Sequence, residues 1–106
     1  MAIAVAYKRP NEIIAIGVDF AGAVPSGDTT LTNTSVTAIN SSDIADASVV
    51  GTVSSSGLVL TALLQAGTDG EDYTVTYQTK SSTSGKGPFE RTIELRVRTK
   101  IGIGHV

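Results

Sequence analysis

Catalysis needs residues that can take up a proton, attack a carbon or hold a metal, and this chain offers few in a usable arrangement. Its one histidine, His105, lies in the glycine-rich stretch 100–106. A nucleophile needs a base fixed beside it, and a glycine-loosened tail does not fix one. The chain has no cysteine, so neither a Cys/His zinc cluster nor a disulfide is expected. Asp69, Glu71 and Asp72 crowd around Gly70. Clustered carboxylates on a turn can hold a hard cation, but this spacing does not match the calcium loop of an EF-hand, and turn chemistry is the expectation. No two carboxylates stand out as a pair for glycoside hydrolysis. Gly85-Lys86-Gly87 lacks the rest of a phosphate loop and follows no strand-to-helix pattern. The basic stretch 91–100 alternates with glutamates, and no aromatic on its outward face is available to stack on a base. The expectation is therefore no enzyme, no cofactor, no metal, no nucleic acid and no small-molecule substrate.

What the residues do support is a set of strands. At 106 residues the chain suits one domain, since most domains run about 100–150. Thr, Val, Ile and Ser dominate, types that fit a pleated, half-buried surface and lose rotamer freedom in a helix. Residues 1–7 alternate Ile3, Val5 and Tyr7 with alanines and read as a strand or an arm, cut off by Lys8-Arg9-Pro10-Asn11 because proline cannot donate to a ladder. Residues 12–20 place Ile14, Ile16, Val18 and Phe20 on one face. Residues 29–39 and 47–54 are further strands, and a tight turn is expected at 54–57. Residues 58–64 are nearly all apolar, and their shortness and flanking glycines favour a buried strand over a helix.

At 66–70 the Thr68-Asp69-Gly70 signal predicts a reversal between the strand at 58–64 and the next one. That next strand, 71–79, turns Tyr73, Val75 and Tyr77 inward. After a hairpin loop at 81–88, residues 89–99 put Phe89, Ile93, Leu95 and Val97 on one face. Residues 100–106 form a tail. The expected core is Ile14, Ile16, Val18, Phe20, Leu58, Leu60, Leu64, Tyr73, Val75, Tyr77, Ile93, Leu95 and Val97. Six or seven short strands with frequent turns indicate a sandwich or small barrel.

Charge is unevenly spread. Residues 80–100 hold six cations against two acids, a local +4, while the rest holds two cations against eight acids, a local −6. Opposed signs can orient copies of a protein against one another, and the basic strand of one copy is expected to approach the acidic loops at Asp43/Asp46 or Asp69/Glu71/Asp72 of the next. The expected interface comprises Ile3, Val5, Tyr7, Arg91, Arg96, Arg98 and Lys100. Residues 1–7 form either an N-terminal arm lying on another subunit or an edge strand, 8–100 the domain, and 101–106 the C-terminal tail. No stretch approaches the length of a membrane span, and residues 1–7 are too short for a signal-peptide core, so synthesis and retention in the cytoplasm are expected.

Four stretches carry a further likeness: Lys8-Arg9-Pro10-Asn11-Glu12 leading to Val18-Asp19-Phe20; Ser26-Gly27-Asp28-Thr29; Gln65-Ala66-Gly67-Thr68-Asp69-Gly70-Glu71-Asp72-Tyr73-Thr74-Val75-Thr76; and Thr83-Ser84-Gly85 leading to Phe89-Glu90-Arg91-Thr92-Ile93 and Leu95-Arg96-Val97-Arg98. In order and spacing they resemble the fibre–tail adaptor proteins of tailed bacteriophages, over roughly residues 8–100. The resemblance implies an all-β fold, an Ig-like antiparallel β-sandwich of six to seven strands. It also implies a place in the virion, assembled in the host cytoplasm, and brings no catalytic residues with it. On this reading the chain is a structural adaptor joining tail or neck to fibres. The alternative is a capsid decoration protein, and a carbohydrate-binding module is disfavoured because most of the five aromatics point inward. The expected partners are other phage structural proteins (tail, neck, fibre or capsid subunits) and further copies of the chain, a homo-oligomer in the particle.

Overall fold

The computed structural model describes residues 4–24, 27, 29–81 and 87–99. Its strands are β1 (Ala4–Lys8), β2 (Ile14–Asp19), β3 (Leu31–Ile39), β4 (Val50–Ser56), β5 (Val59–Leu64), β6 (Asp72–Ser81) and β7 (Phe89–Val97), with a short 3-10 turn at Ala47–Val49. They form two sheets, β1-β7-β6-β3 and β2-β5-β4. All pairs are antiparallel except β1 with β7, which run parallel. The fold is thus an all-β, Ig-like sandwich. In the usual seven-stranded arrangement the first strand lies beside the second, in the sheet with the fourth and fifth; here β1 lies beside β7, in the opposite sheet.

Alternation along β5, β6 and β7 builds the core. Leu60, Ala62 and Leu64 meet Tyr73, Val75, Tyr77, Leu95 and Val97, all fully or almost fully buried. Phe20, Ala38, Val49 and Ile93 complete the cluster. Burying one such large apolar side chain stabilises by roughly 1.5–3 kcal/mol. The Tyr77 hydroxyl donates to the Ile16 carbonyl at 3.0 Å, tying the two sheets together. Its burial pushes its pKa up to about 12.

Several expectations need correction. The segment 47–54 does not begin as a strand: the Asp46 carboxylate accepts from the Ser48 N–H and starts the 3-10 turn, which delivers Val49 to the core. The turn expected at 54–57 comes later, because β4 continues through Ser56. Residues 66–70 do not reverse the chain between paired strands. They carry it from β5 in one sheet to β6 in the other. Gly70 does take positive φ, +87°, as its turn position requires. Gly67, at φ +99°, is needed more: a Cβ there would stand 2.9 Å from Val97 Cγ2. Leu58 precedes β5 and is only half-buried, while Ala38, Val49 and Ala62 are core residues that the sequence pattern did not single out.

Candidate assembly interface

Alternation within β1 sets the character of this edge. Val5 and Tyr7 face outward, 44% and 48% exposed, while the small Ala6 packs toward the core. The strand pairs in register with its own domain, Ala4 with Ile93 through Lys8 with Val97. The described residues 4–8 thus form an edge strand of their own sheet. The physical reason is that β7 offers a complete row of backbone partners on the side away from β6. Ile3 lies outside the described residues, as does Lys100.

Tyr7 sits beside Arg96 in the parallel register. The Arg96 guanidinium lies 5.6 Å from the ring centroid and donates to the Tyr7 hydroxyl at 2.8 Å. It also pairs with Glu94 at 2.5 Å, and these contacts raise the Arg96 pKa, the Glu94 hydrogen bond foremost. Arg98 pairs with Asp72 at 2.7 Å and reaches the Glu71 carbonyl. Exposed ion pairs of this kind contribute little to stability. Arg96 and Arg98 have partners within the chain, and so does Asp72.

Arg91 departs furthest from the expected grouping. By alternation it shares the face of Phe89 and Ile93, opposite to Arg96. Its guanidinium lies 5.7 Å from the centroid of the Phe20 ring, at the other end of the sandwich from Arg98. The signal was present in the sequence, since Arg91 is in phase with Phe89, Ile93 and Leu95. The structure therefore brings together Tyr7, Arg96 and, two residues further along the same run, Arg98, but not Arg91.

The acidic turn does not converge on a point either. Asp69 accepts from the Thr99 N–H at 2.7 Å, Glu71 from the N–H and hydroxyl of Ser41, and Asp72 from Arg98. The hydrogen bonds from Thr99 and Ser41 lower the pKa values of Asp69 and Glu71 respectively.

Two features escaped sequence reasoning. Lys8, which reads as part of a break, is the last residue of β1, and its side chain is fully buried. Its ammonium donates to the carbonyls of Arg9 at 2.6 Å and Pro10 at 3.3 Å, and burial lowers its pKa against the opposing pull of Glu12. Held by these two carbonyls, it closes the turn after β1. The second feature is β2. Ile14, Ile16 and Val18 point to the core yet stay half-buried, whereas the core-facing residues of the neighbouring β5 are fully covered.

Over residues 8–96 the sequence matches the family described as podophage GP4 fiber-tail adaptor protein gp77. The match covers most of the chain, and the protein belongs to this family. A structural role at the phage tail follows from that membership, as does a place in the virion. No curated protein matches the sequence.

Proposed function

We propose that the chain is a non-enzymatic adaptor that joins fibres to the tail or neck of a podophage-like particle. The observation that carries this reading is the family match, which spans the sandwich from the end of β1 into β7. The fold is compatible with it: the outer face of the β1-β7-β6-β3 sheet presents Thr37, Thr76 and Thr92 in one polar cross-strand row. The partners on this reading are tail, neck and fibre subunits together with further copies of the chain. Nothing observed favours capsid decoration.

The test is to delete the chain's coding sequence and to locate a tagged copy in purified particles by electron microscopy. The expected result is a label at the tail, in low copy relative to the major capsid protein, and particles without fibres when the chain is missing. A label spread over the head lattice, or full fibre attachment without the chain, overturns the reading.

A further inference from the structure

β1 has a row of backbone groups left over. The Arg98 N–H donates to the Lys8 carbonyl at 2.9 Å, so Lys8 turns its backbone polar groups toward β7. Bonding direction alternates from one residue to the next along a strand. Ala4 and Ala6 therefore share the β7 side, while Val5 and Tyr7 turn their N–H and C=O groups to the open edge. An inward-pointing charge is one device that keeps such an edge unpaired, and Lys8 points inward. Here the device is spent: the Lys8 side chain is already fully buried, and its ammonium rests on the Arg9 and Pro10 carbonyls. A strand added beside β1 takes no further charge out of water.

The outward side chains of this edge are apolar. Val5 and Tyr7 are two of the four exposed large apolar residues among the described residues. Scattered ones are ordinary on a surface, but these two are neighbours on one face of one strand. The Tyr7 ring is also fixed in place, since Arg96 lies over it and donates to its hydroxyl. A side chain held before association gives up little freedom in it.

We infer that the open edge of β1 pairs antiparallel with the same edge of a second copy, about a two-fold axis at Ala6. Only registers that oppose edge-facing residues make a ladder. With Ala6 at the axis, Val5 of each copy stands opposite Tyr7 of the other, and each such pair exchanges both backbone hydrogen bonds. On the inner face, Ala6 meets Ala6 at the closer, non-hydrogen-bonded position, with Cα atoms about 4.5 Å apart, where small side chains fit. Ala4 stands opposite Lys8.

Charge selects this register and the second copy. Val5 is beside Glu94, and Tyr7 beside Arg96. Each outer row across the seam then runs from Glu94 of one copy, through Val5 and Tyr7, to Arg96 of the other. It has an aromatic–β-branched pair at its centre and opposite charges at its ends. With Val5 at the axis one row would end in two glutamates, and with Tyr7 there one row would end in two arginines. The two-fold pairing consumes both edges, so it closes as a dimer. It engages the five residues of β1 from each copy, a small contact by the measure of stable complexes, and forms at high concentration or where a particle holds copies close. This pairing does not rest on the adaptor reading.

The chain lacks cysteine, so a single introduced one reports the axis. Ala6→Cys, oxidised in concentrated solution and in particles that carry it, is expected to give a reducible homodimer faster than Ser55→Cys, an exposed position on β4. Val5→Cys and Tyr7→Cys are expected to cross-link to each other on mixing in preference to themselves. Homodimers preferred at either position overturn the register. Sedimentation of the cysteine-free chain is expected to show a dimer growing with concentration. Two variants should abolish it at a melting temperature near that of the parent. Val5→Pro removes an N–H that faces only the open edge, and Val5→Lys leaves the backbone untouched and serves if the proline costs stability. A dimer that survives Val5→Lys overturns the pairing. So does a chain monomeric at millimolar concentration whose Ala6→Cys variant forms no cross-link in particles. Fibre attachment does not enter these readouts, so the two readings fail separately.

Discussion

The two flanks of the sandwich are built in opposite ways. On the β3/β4 flank both edge strands are irregular: β3 breaks register between Thr32 and Ser35, with Asn33 at φ 51°, and β4 between Val50 and Val53. Chain between them closes the gap, through the Ile39–Ala45 bridge and the turn that buries Val49. On the β1/β2 flank no register shift interrupts either strand, and the core-facing isoleucines of β2 stay half-buried. Proteins blunt edges they must keep unpaired, with bulges and covering loops among the devices. One flank of this molecule is blunted and the other is not. The difference separates a flank closed by its own chain from one whose edge strands run without interruption.

The largest expected effect tests that contrast in the core. Leu64→Ala, on β5 and fully covered, should cost about 2–5 kcal/mol, and Ile16→Ala, on the open flank, about half of that or less. In a domain of this size each kcal/mol moves the melting temperature by roughly 4–8 °C, so calorimetry resolves the two. Equal losses would mean that the β2 side chains are covered as fully as those of β5, and the open flank would have to be abandoned.

Intermediate effects come from the β5–β6 crossing, which joins the sheets at the end where β7 finishes. Gly67→Ala meets both an unfavourable φ and the Val97 side chain, and should cost about 1–3 kcal/mol. Gly70→Ala, with positive φ but nothing within 4 Å of the added carbon, should cost about 1 kcal/mol. Urea titrations of the two variants should therefore give a lower midpoint for Gly67→Ala. The reverse order would mean that the crossing is not packed against β7 as described.

Much of the fold was legible because alternation with a period of two is written directly into residues 73–77 and 93–97. The thirteen expected core positions include nine of the buried apolar residues. Sheet membership was not legible, since the Thr68-Asp69-Gly70 signal specifies a local turn and says nothing about which strand the chain joins after it. Lys8 read as part of a break because Pro10 cannot donate to a ladder; its two acceptors are the neighbouring Arg9 and Pro10 carbonyls, but its burial depends on the packing of the whole sandwich. At the interface, β7 alternation alone separates Arg91 from Arg96. The partners of Arg96 and Arg98 depend on strand register, which a sequence pattern does not set between distant segments. The half-buried state of β2 was invisible for the same reason: Ile14, Ile16 and Val18 have the right phase, and only the placement of β1 in the other sheet leaves them uncovered.

The smallest effect is expected from acid, and it sharpens the comparison because it acts away from the open flank. Asp69 holds the Thr99 N–H, and Glu71 holds Ser41 in the loop after β3. Both carboxyl groups have pKa values below their ordinary ones, 3.8 and 4.5, because these hydrogen bonds favour the charged form. A depressed carboxylate pKa contributes stability that is present above the unfolded-state value and is lost as pH falls through the folded-state value. The melting temperature should therefore hold steady down to about pH 5 and decline by about pH 3. Both groups are exposed, so the decline should be a few degrees at most. Asp69→Asn should remove part of the pH dependence while lowering stability slightly at neutral pH, since the amide accepts from Thr99 without the charge. Ile16→Ala should leave the shape of the acid profile unchanged, because Asp69 and Glu71 bond to Thr99 and Ser41 rather than to β2. A steeper acid decline in Ile16→Ala than in the parent would couple the β2 flank to these anchors and undo the separation between the two sides.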